Sequence, residues 1–515
     1  MPALWGRVSL TNTRVPPEAF HTLLKMARDA HLEAYIESCR AGYGGDSQVQ
    51  EDHYQLVLGV AKSLIPRIRV LSIDGVSYHP QDDLGHFFQQ GPLPNLLKLY
   101  VNYHGGSWQP ETLDRNICMD APHLTELKLS LFELGLPMAD GSHKGFCLDI
   151  PNVKTLLIEW RGMSFGETTM WNLRWIATVI QNGPLIENLA IDLAFWHFEA
   201  DWFTLFNGQN ALLYNLRSLI ITQRSMCMHT GDFLTRICPS PPPAFTFTAR
   251  YIRPEDVVPI AQSLAPYLAA CASYSTMYIR FCHPMWVMIH VLPKPSDARA
   301  LSEEKTFNWR SEDNLAKLER QTTLSLSTLS NLHISVELLP DLASRLHLAQ
   351  HTHLHVNGGV NPAYWWYMFR HLVAPRMTSV HTFIIDNLSW LGPKAGDMNA
   401  LSIIGPPDHG LFEGIEHLQT WTSSPLPALR TLIVTSWVTG TKSRKRLGLT
   451  HLVRLLIHRL EIGLPVHSVY LRGGWMNAGL APKTQKDKVI DSEALRCIRA
   501  AVTGEVFDER VVLGP

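Results

Sequence analysis

The sequence predicts an α/β fold in which short parallel strands alternate with helices along most of the chain. Three observations lead to this prediction. A phrase of the form L-x-x-L-x-L, with leucine, isoleucine or valine at most marked positions, returns about every 29 residues. Stretches with helical spacing of apolar residues fall between the copies, a pattern typical of parallel sheets. Proline stands shortly before many copies, where its fixed φ and missing N–H donor suit the start of a strand.

The clearest copies of the phrase lie in the first half of the chain, and successive copies start 28, 28, 29, 33 and 30 residues apart. They begin at Ile68, Leu96, Leu124, Val153, Ile186 and Leu216. Weaker copies bring the candidate strands to thirteen; they include Phe245 and Phe247 and begin at Tyr274, Leu329, His351, Val380, Leu429 and Val466. This period is typical of leucine-rich repeats, which bury their apolar faces on their neighbours. We therefore predict an irregular leucine-rich-repeat solenoid with parallel strands on its concave face and helices on its convex face.

Helices are predicted between the strands, at residues 171–181, 255–268, 314–321, 363–372 and 447–460. The first ends in Asn182-Gly183-Pro184, a combination that stops a helix. Residues 491–502 predict a further amphipathic helix that caps the last repeat. The predicted organisation is an N-terminal helical segment over residues 1–60, the repeats over 61–480, and a capping helix with a tail over 481–515.

Composition excludes several classes of partner. The formal net charge is −1, which leaves no basic surface for nucleic acid or an anionic membrane. No apolar run approaches the ~20 residues that span a bilayer, and the first residues lack the apolar core of a signal peptide. Eight cysteines are scattered without a CxxC pair, which favours a reducing compartment. We expect a cytoplasmic or nuclear protein without nucleic-acid or membrane partners.

The first residues carry a family resemblance. PALWGRVSL at residues 2–10 resembles the Pro-x-Leu-Trp-x-x-Ile-x-Leu segment that follows the F-box in many F-box proteins of mushroom-type fungi. A leucine-containing stretch at 18–28, an apolar segment at 32–36 and the first phrase at Ile68 follow in the same order. The resemblance implies a substrate receptor of a cullin-RING ubiquitin ligase, whose F-box docks a Skp-type adaptor and whose repeats hold the target protein. The similarity starts at the trailing edge of the F-box, so we expect this chain to lack the F-box and to bind the adaptor only with one upstream.

Candidate binding residues follow from the alternation of strand side chains, which places the residues between the leucines on the concave face. Tyrosine and arginine are enriched where proteins bind one another, and histidines cluster in two of the later copies. The candidates are Tyr100, Tyr278, Arg280, His333, His353, His355, Asn357, Asp386, Tyr470 and Arg472.

The histidines in this set raise the question of a metal. Neighbouring parallel strands lie ~4.8 Å apart, which would put His333 beside His355, with His353 on the same strand as His355. Imidazoles and a carboxylate are zinc ligands. With 24 histidines in the chain, however, chance clustering is common, and we favour a polar binding surface without metal or cofactor.

An enzymatic alternative rests on GMSFG at residues 162–166, which fits the G-x-S-x-G pattern that presents a nucleophilic serine in α/β-hydrolases. Ser164 would then attack a carbonyl group. Glycines follow the strand in other copies as well, at Gly75, Gly105 and Gly473, which favours a turn over a catalytic role. We therefore expect no catalytic residue and a non-enzymatic protein-recognition module. A free-standing repeat scaffold, or a decayed paralogue without adaptor binding, is the alternative from another class.

Overall fold

The computed structural model describes residues 7–11, 22, 25–26, 30–37, 64–75, 92–103, 117–131, 135–137, 143–149, 151–160, 167–193, 201–224, 230–238, 240–252, 257–283, 286–294, 321–328, 345–357, 369–386, 388–390, 403–404, 424–435, 437–439, 445–474 and 485–511. The chain has an α/β fold and divides into two compact units, residues 1–242 and 243–515. None of the helices in these ranges is long and apolar enough to cross a membrane.

The first unit is built mainly from parallel strands. Its strands are β1 (Arg7–Thr11), β2 (Leu32–Glu37), β3 (Ile68–Gly75), β4 (Lys98–Tyr103), β5 (Ile117–Asp120), β6 (Glu126–Leu131), β7 (Gly135–Pro137), β8 (His143–Asp149), β9 (Thr155–Trp160), β10 (Asn188–Leu193) and β11 (Ser218–Arg224). The parallel order is β1-β2-β3-β4-β6-β9-β10-β11. Strand β8 pairs in parallel with β5 and antiparallel with β7.

The register of this sheet follows directly from the leucine phrase. The middle leucine of each copy lies opposite the middle leucine of the next, in the series Leu71, Leu99, Leu127, Leu156, Leu189 and Leu219. Each of these six side chains is at most 1% exposed. Full burial of a leucine contributes roughly 2 kcal/mol, and a slip by one residue would turn the whole set to the other face. The apolar ladder therefore sets the register.

A tight turn precedes many strands of the phrase. The backbone N–H of Leu96 donates to the Leu93 carbonyl at 3.2 Å, and that of Leu124 donates to the Ala121 carbonyl at 3.0 Å. The same three-residue bond recurs before β10, β11, β17 and β19. Successive turns are also linked, because the Asn95 side-chain amide donates to the Pro66 carbonyl at 2.6 Å. Proline fits before the strand because the turn uses no backbone N–H at the proline position.

The first unit also contains helices. They are α1 (Glu167–Gln181), α2 (Trp202–Leu205) and α3 (Thr230–Ile237). In α1 the buried residues Leu173, Ile176, Ala177 and Ile180 follow the spacing of one helical face. The Trp202 ring of α2 packs on Phe233 of α3 with centroids 4.4 Å apart.

The second unit contains parallel strands and one antiparallel strand. Its strands are β12 (Ala244–Ile252), β13 (Thr276–His283), β14 (Trp286–Leu292), β15 (Gln321–Thr328), β16 (His353–Asn357), β17 (Thr382–Asp386), β18 (Leu388–Trp390), β19 (Thr431–Val434), β20 (Trp437–Thr439), β21 (Ser468–Gly474) and β22 (Val506–Val511). Spatial order is β12-β15-β14-β13-β16-β17-β19-β21-β22. Strand β14 runs antiparallel to both neighbours, and β18 pairs with β20 separately.

This order corrects one expectation. The sequence placed the copy that contains His333 beside the strand that contains His355. The neighbours of β16 are instead β13 and β17, and His355 lies opposite Tyr278 and Ile384. The predicted pairing of His333 with His355 is therefore wrong, because the two flanks of β16 are already occupied. His333 itself lies outside the described residues.

The helices of the second unit are α4 (Val257–Ala269), α5 (Lys445–Glu461) and α6 (Gln485–Ala501), with a short π-helical turn at Phe369–Val373. The predicted helices at 171–181, 255–268 and 447–460 are confirmed by α1, α4 and α5. At 314–321 only Gln321 is described, and it begins β15. At 363–372 only residues 369–372 are described, within the π-helical turn.

The predicted boundaries differ at both ends of the chain. Strands β1 and β2 lie within the segment that was expected to be helical, and both extend the parallel sheet of β3. At the other end, α6 begins before the expected residue 491, and the tail adds strand β22 beside β21. The parallel strands therefore occupy more of the chain than residues 61–480.

Arg459 ties helix α5 to the turn that precedes β19. Its guanidinium donates to the carbonyls of Leu464, Pro425 and Leu426 at 3.1, 3.0 and 3.0 Å. The residue is 1% exposed, and burial lowers its pKa to about 10. Leu426 has a left-handed backbone with φ 49°, so its turn needs this support. Gly463, with φ 74°, follows the end of the helix. The turn there brings the Leu464 carbonyl within reach of the Arg459 side chain.

We expect Arg459→Met to lower the free energy of unfolding by about 3 kcal/mol, because it leaves three carbonyls without their donor. Urea denaturation followed by circular dichroism measures the change. The matched control is Arg454→Met on the same helix, where the side chain is exposed and little change is expected. Equal urea midpoints for the two variants would contradict the role assigned to Arg459.

Candidate functional site

One row of side chains crosses the sheet of the second unit on the face opposite the leucines. We call it the central row. The strand registers place its members side by side, in the order Thr246, Thr323, His290, Tyr278, His355, Ile384, Ile433, Tyr470 and Phe507. The first five are buried and mostly polar, and the last four are half-buried and apolar or aromatic. The row therefore has two halves of different character.

The buried half is a packed series of rings. Tyr278 stands between two histidines, with centroids 5.4 Å from His290 and 4.8 Å from His355. His290 Nδ1 bonds to the Thr323 hydroxyl at 2.9 Å. Burial, and secondarily the charge of Arg280, lowers the pKa of His290 to about 3. His290 is therefore neutral near pH 7, and these rings act as core rather than as a surface.

His355 is the member of the buried half that lies next to the apolar half of the row. Its Nε2 donates to the Asp386 carboxylate on β17, and the Thr435 hydroxyl donates to the other oxygen of that carboxylate. The side chains of His355 and Asp386 are 4% and 11% exposed. A buried carboxylate needs such donors, because an unpaired charge in the interior costs several kcal/mol. The cluster thus joins β16, β17 and the residue after β19.

This arrangement does not have the order of a nucleophilic triad. In such a triad the imidazole lies between the nucleophile and the carboxylate. Here the Asp386 carboxylate lies between the Thr435 hydroxyl and His355, so the imidazole is not placed to take the hydroxyl proton. The other nitrogen of His355, Nδ1, is buried and has no hydrogen-bond partner among the described residues. The geometry favours a structural role for this cluster.

The half-buried members of the central row form a continuous strip on β17, β19, β21 and β22. We call Ile384, Ile433, Tyr470 and Phe507 the apolar strip. Tyr470 and Phe507 stack with centroids 4.5 Å apart and an interplanar angle of 9°. The side chains are only partly covered although they lie in the middle of a sheet face. A partner that covered them would remove aromatic and aliphatic surface from water.

Polar side chains border the apolar strip on both sides. Towards the strand ends, Arg472 lies over the Tyr470 ring at 4.9 Å from its centroid and pairs with Glu509 at 2.9 Å. Towards the strand starts lie the hydroxyls of Thr382, Thr431 and Ser468, which share one register row. An apolar centre with a polar rim is the usual anatomy of a protein interface.

The corresponding face of the first unit also changes character along the sheet. Tyr35, Ser72, Tyr100 and Lys128 lie side by side and are half-buried, whereas Leu157, Ala190 and Ile220 continue the row as buried side chains. Lys128 lies over the Tyr100 ring at 4.6 Å. Glu126 pairs with Lys98 and Lys128 at 3.0 and 3.1 Å, which balances much of the local positive charge.

The structure separates the candidate residues into three groups. Tyr278, His355 and Asp386 face the expected side of the sheet but are buried, so they are not surface contacts. His333 lies outside the described residues. The half-buried candidates are Tyr100, Arg280, His353, Asn357, Tyr470 and Arg472.

Sequence reasoning passed over Ile384, Ile433 and Phe507. Ile384 and Ile433 occupy the slot between the last two apolar residues of the phrase, which is the slot that marked Tyr100 and Tyr470. The signal was therefore present for these two. Phe507 follows the last copy, and only the pairing of β22 with β21 brings it beside Tyr470.

Two alternatives from the sequence receive no support from the described residues. Across the described ranges, no group of three or more His, Cys, Asp or Glu is placed to hold a metal ion. Ser164, the nucleophile of the hydrolase alternative, lies outside those ranges. Neither a scan against models of protein families nor a search of curated proteins finds a match to this chain.

We expect acid to destabilise the second unit through His290. Its folded-state pKa of about 3 lies below the ordinary 6.5, so the unfolded chain binds the proton first as the pH falls. The stabilising effect is complete above about pH 6.5 and declines down to about pH 3, by about 1.4 kcal/mol per pH unit. Unfolding free energies of the wild type and His290→Gln, measured from pH 7 to pH 4, should give a shallower slope for the variant. Parallel curves would contradict the neutral buried state of His290.

Proposed function

We propose that this protein is a non-enzymatic recognition module, and that the apolar strip is where its second unit binds a protein partner. The observation that carries the proposal is the half-buried strip on β17, β19, β21 and β22, bordered by polar side chains. Tyrosine and arginine, which dominate binding free energy in many interfaces, lie together there as Tyr470 and Arg472. The buried half of the central row supports the strip from one side as rigid core.

The proposal includes a leucine-rich-repeat solenoid as the form of the molecule. It is supported by the recurrence of one turn, one strand register and one buried leucine position along the chain. Repeat arrays present broad faces on which side chains, rather than backbone, determine the partner. A catalytic role has less support, because the Asp386 carboxylate separates His355 from the Thr435 hydroxyl.

A photo-crosslinking residue in place of Phe507 tests the proposal. In a cell extract it should form an adduct with one identifiable protein, whereas the same residue in place of Tyr214 should not. Tyr214 is 84% exposed and lies in the first unit, so it controls for exposure alone.

The captured protein must then bind the purified wild-type chain. We expect Tyr470→Ala to weaken that binding at least about tenfold, and Tyr214→Ala to leave it unchanged. Circular dichroism of both variants checks that they are folded. Equal affinities of the two variants would refute the strip as the binding surface.

We further propose that the recognised protein is a target of an F-box ubiquitin ligase. The support is the resemblance of residues 2–10 to the segment after the F-box in fungal F-box proteins. The test is co-purification of a Skp-type adaptor with the protein isolated from its own cells. An adaptor in the complex supports the receptor role, and a partner bound without any adaptor supports the free-standing scaffold.

A further inference from the structure

The apolar strip has a basic border on one side only. The residue immediately before β17 is His381, that before β19 is Arg430, and that before β21 is His467. We call them the basic row. All three side chains are exposed. The backbone N–H of Arg430 donates to the His381 carbonyl at 2.9 Å, and the backbone N–H of His467 donates to the Arg430 carbonyl at 2.8 Å. The backbone ladder therefore holds the three side chains at the spacing of neighbouring strands, ~4.8 Å.

The contacts of His381 place it on the same face as the strip, and Arg430 and His467 take the equivalent positions before Thr431 and Ser468. The His381 ring meets the His353 ring edge to face at 4.8 Å, and its Nδ1 bonds to the Thr382 hydroxyl at 3.0 Å. His353 and Thr382 both lie on the face of the central row. Burial, followed by the neighbouring His381, lowers the pKa of His353, so His353 itself adds little charge.

The opposite border of the strip is electrically balanced. Arg472 on β21 pairs with Glu509 on β22 at 2.9 Å. The basic row is limited on the β22 side by Gly504, which takes the equivalent position, and by the exposed Glu505 that follows it. The Arg430 charge and the N–H donors of the basic row therefore lie on β17, β19 and β21, beside three neutral hydroxyl residues.

We propose that the partner docks an acidic amphipathic helix across these strands, with apolar side chains on the apolar strip and carboxylates over the basic row. This inference rests on the proposed function and specifies its partner. Carboxylates match the Arg430 guanidinium and the imidazole N–H groups. A helix also has the right size. Across its four strands the strip is about 14 Å long, a length that about ten helical residues cover. Along the strands, the basic row lies ~10 Å from the strip, which is close to the diameter of one helix.

Three designed peptides test the inference by fluorescence anisotropy. All three carry the same apolar side chains at helical spacing. The first has glutamates on one flank, and the second has lysines at the same positions. The third is the glutamate peptide with a central proline that breaks the helix. We expect the glutamate peptide to bind wild type at least about tenfold more tightly than either of the others. Equal binding of the lysine peptide would overturn the charge assignment. Equal binding of the proline peptide would show that the occupant is extended instead of helical, and would overturn the proposal as well.

Variants separate this inference from the proposed function. The double variant His381→Glu with Arg430→Glu should lose the glutamate peptide and gain the lysine peptide. The matched control Arg454→Glu, at an exposed site on α5, should behave as wild type. If Tyr470→Ala releases the captured partner while the peptides show no charge preference, the strip remains a binding site and this inference fails. If no peptide binds and no adduct forms at residue 507, both fail.

Discussion

Parallel pairing in one register is the constraint on which the rest of this structure depends. Each strand of the phrase buries its middle leucine against the middle leucine of its neighbour, from Leu71 to Leu219 in the first unit. A strand slipped by one residue would expose its apolar set and bury its polar one. The short turn before many of these strands supports the register, because it starts successive strands at the same level of the sheet.

The same register organises the opposite face, although no apolar ladder requires it there. Because the leucines are aligned, the residues between them are aligned as well, and they form the central row of the second unit. Its chemistry changes where the sequence changes: rings and hydroxyls up to His355, then isoleucines and aromatic residues from Ile384 to Phe507. One half is stabilised by internal hydrogen bonds, and the other half remains partly exposed.

Much of the fold was predictable from sequence because the repeated phrase is a local signal. The spacing predicted the positions of β3, β4, β6, β9 to β13, β16, β17, β19 and β21, and of the helices α1, α4 and α5. It also predicted the side of the sheet that Tyr278, His355 and Asp386 face. The insertion of β14 and β15 between β12 and β13 was not predicted, because pairing joins residues distant in sequence, and spacing along the chain does not identify the partner strand. The tail strand β22 was missed for the same reason.

The sequence by itself determined which residues are buried as a leucine ladder and which ones lie on the opposite face, since alternation along a strand is a property of the backbone. Only the tertiary structure decided which members of that opposite face remain accessible. His355 and Asp386 are covered and bonded to each other, whereas Tyr470 and Phe507 stack in partly exposed positions. The physical reason is that accessibility depends on what packs over a side chain from distant parts of the chain, and periodicity contains no information about that.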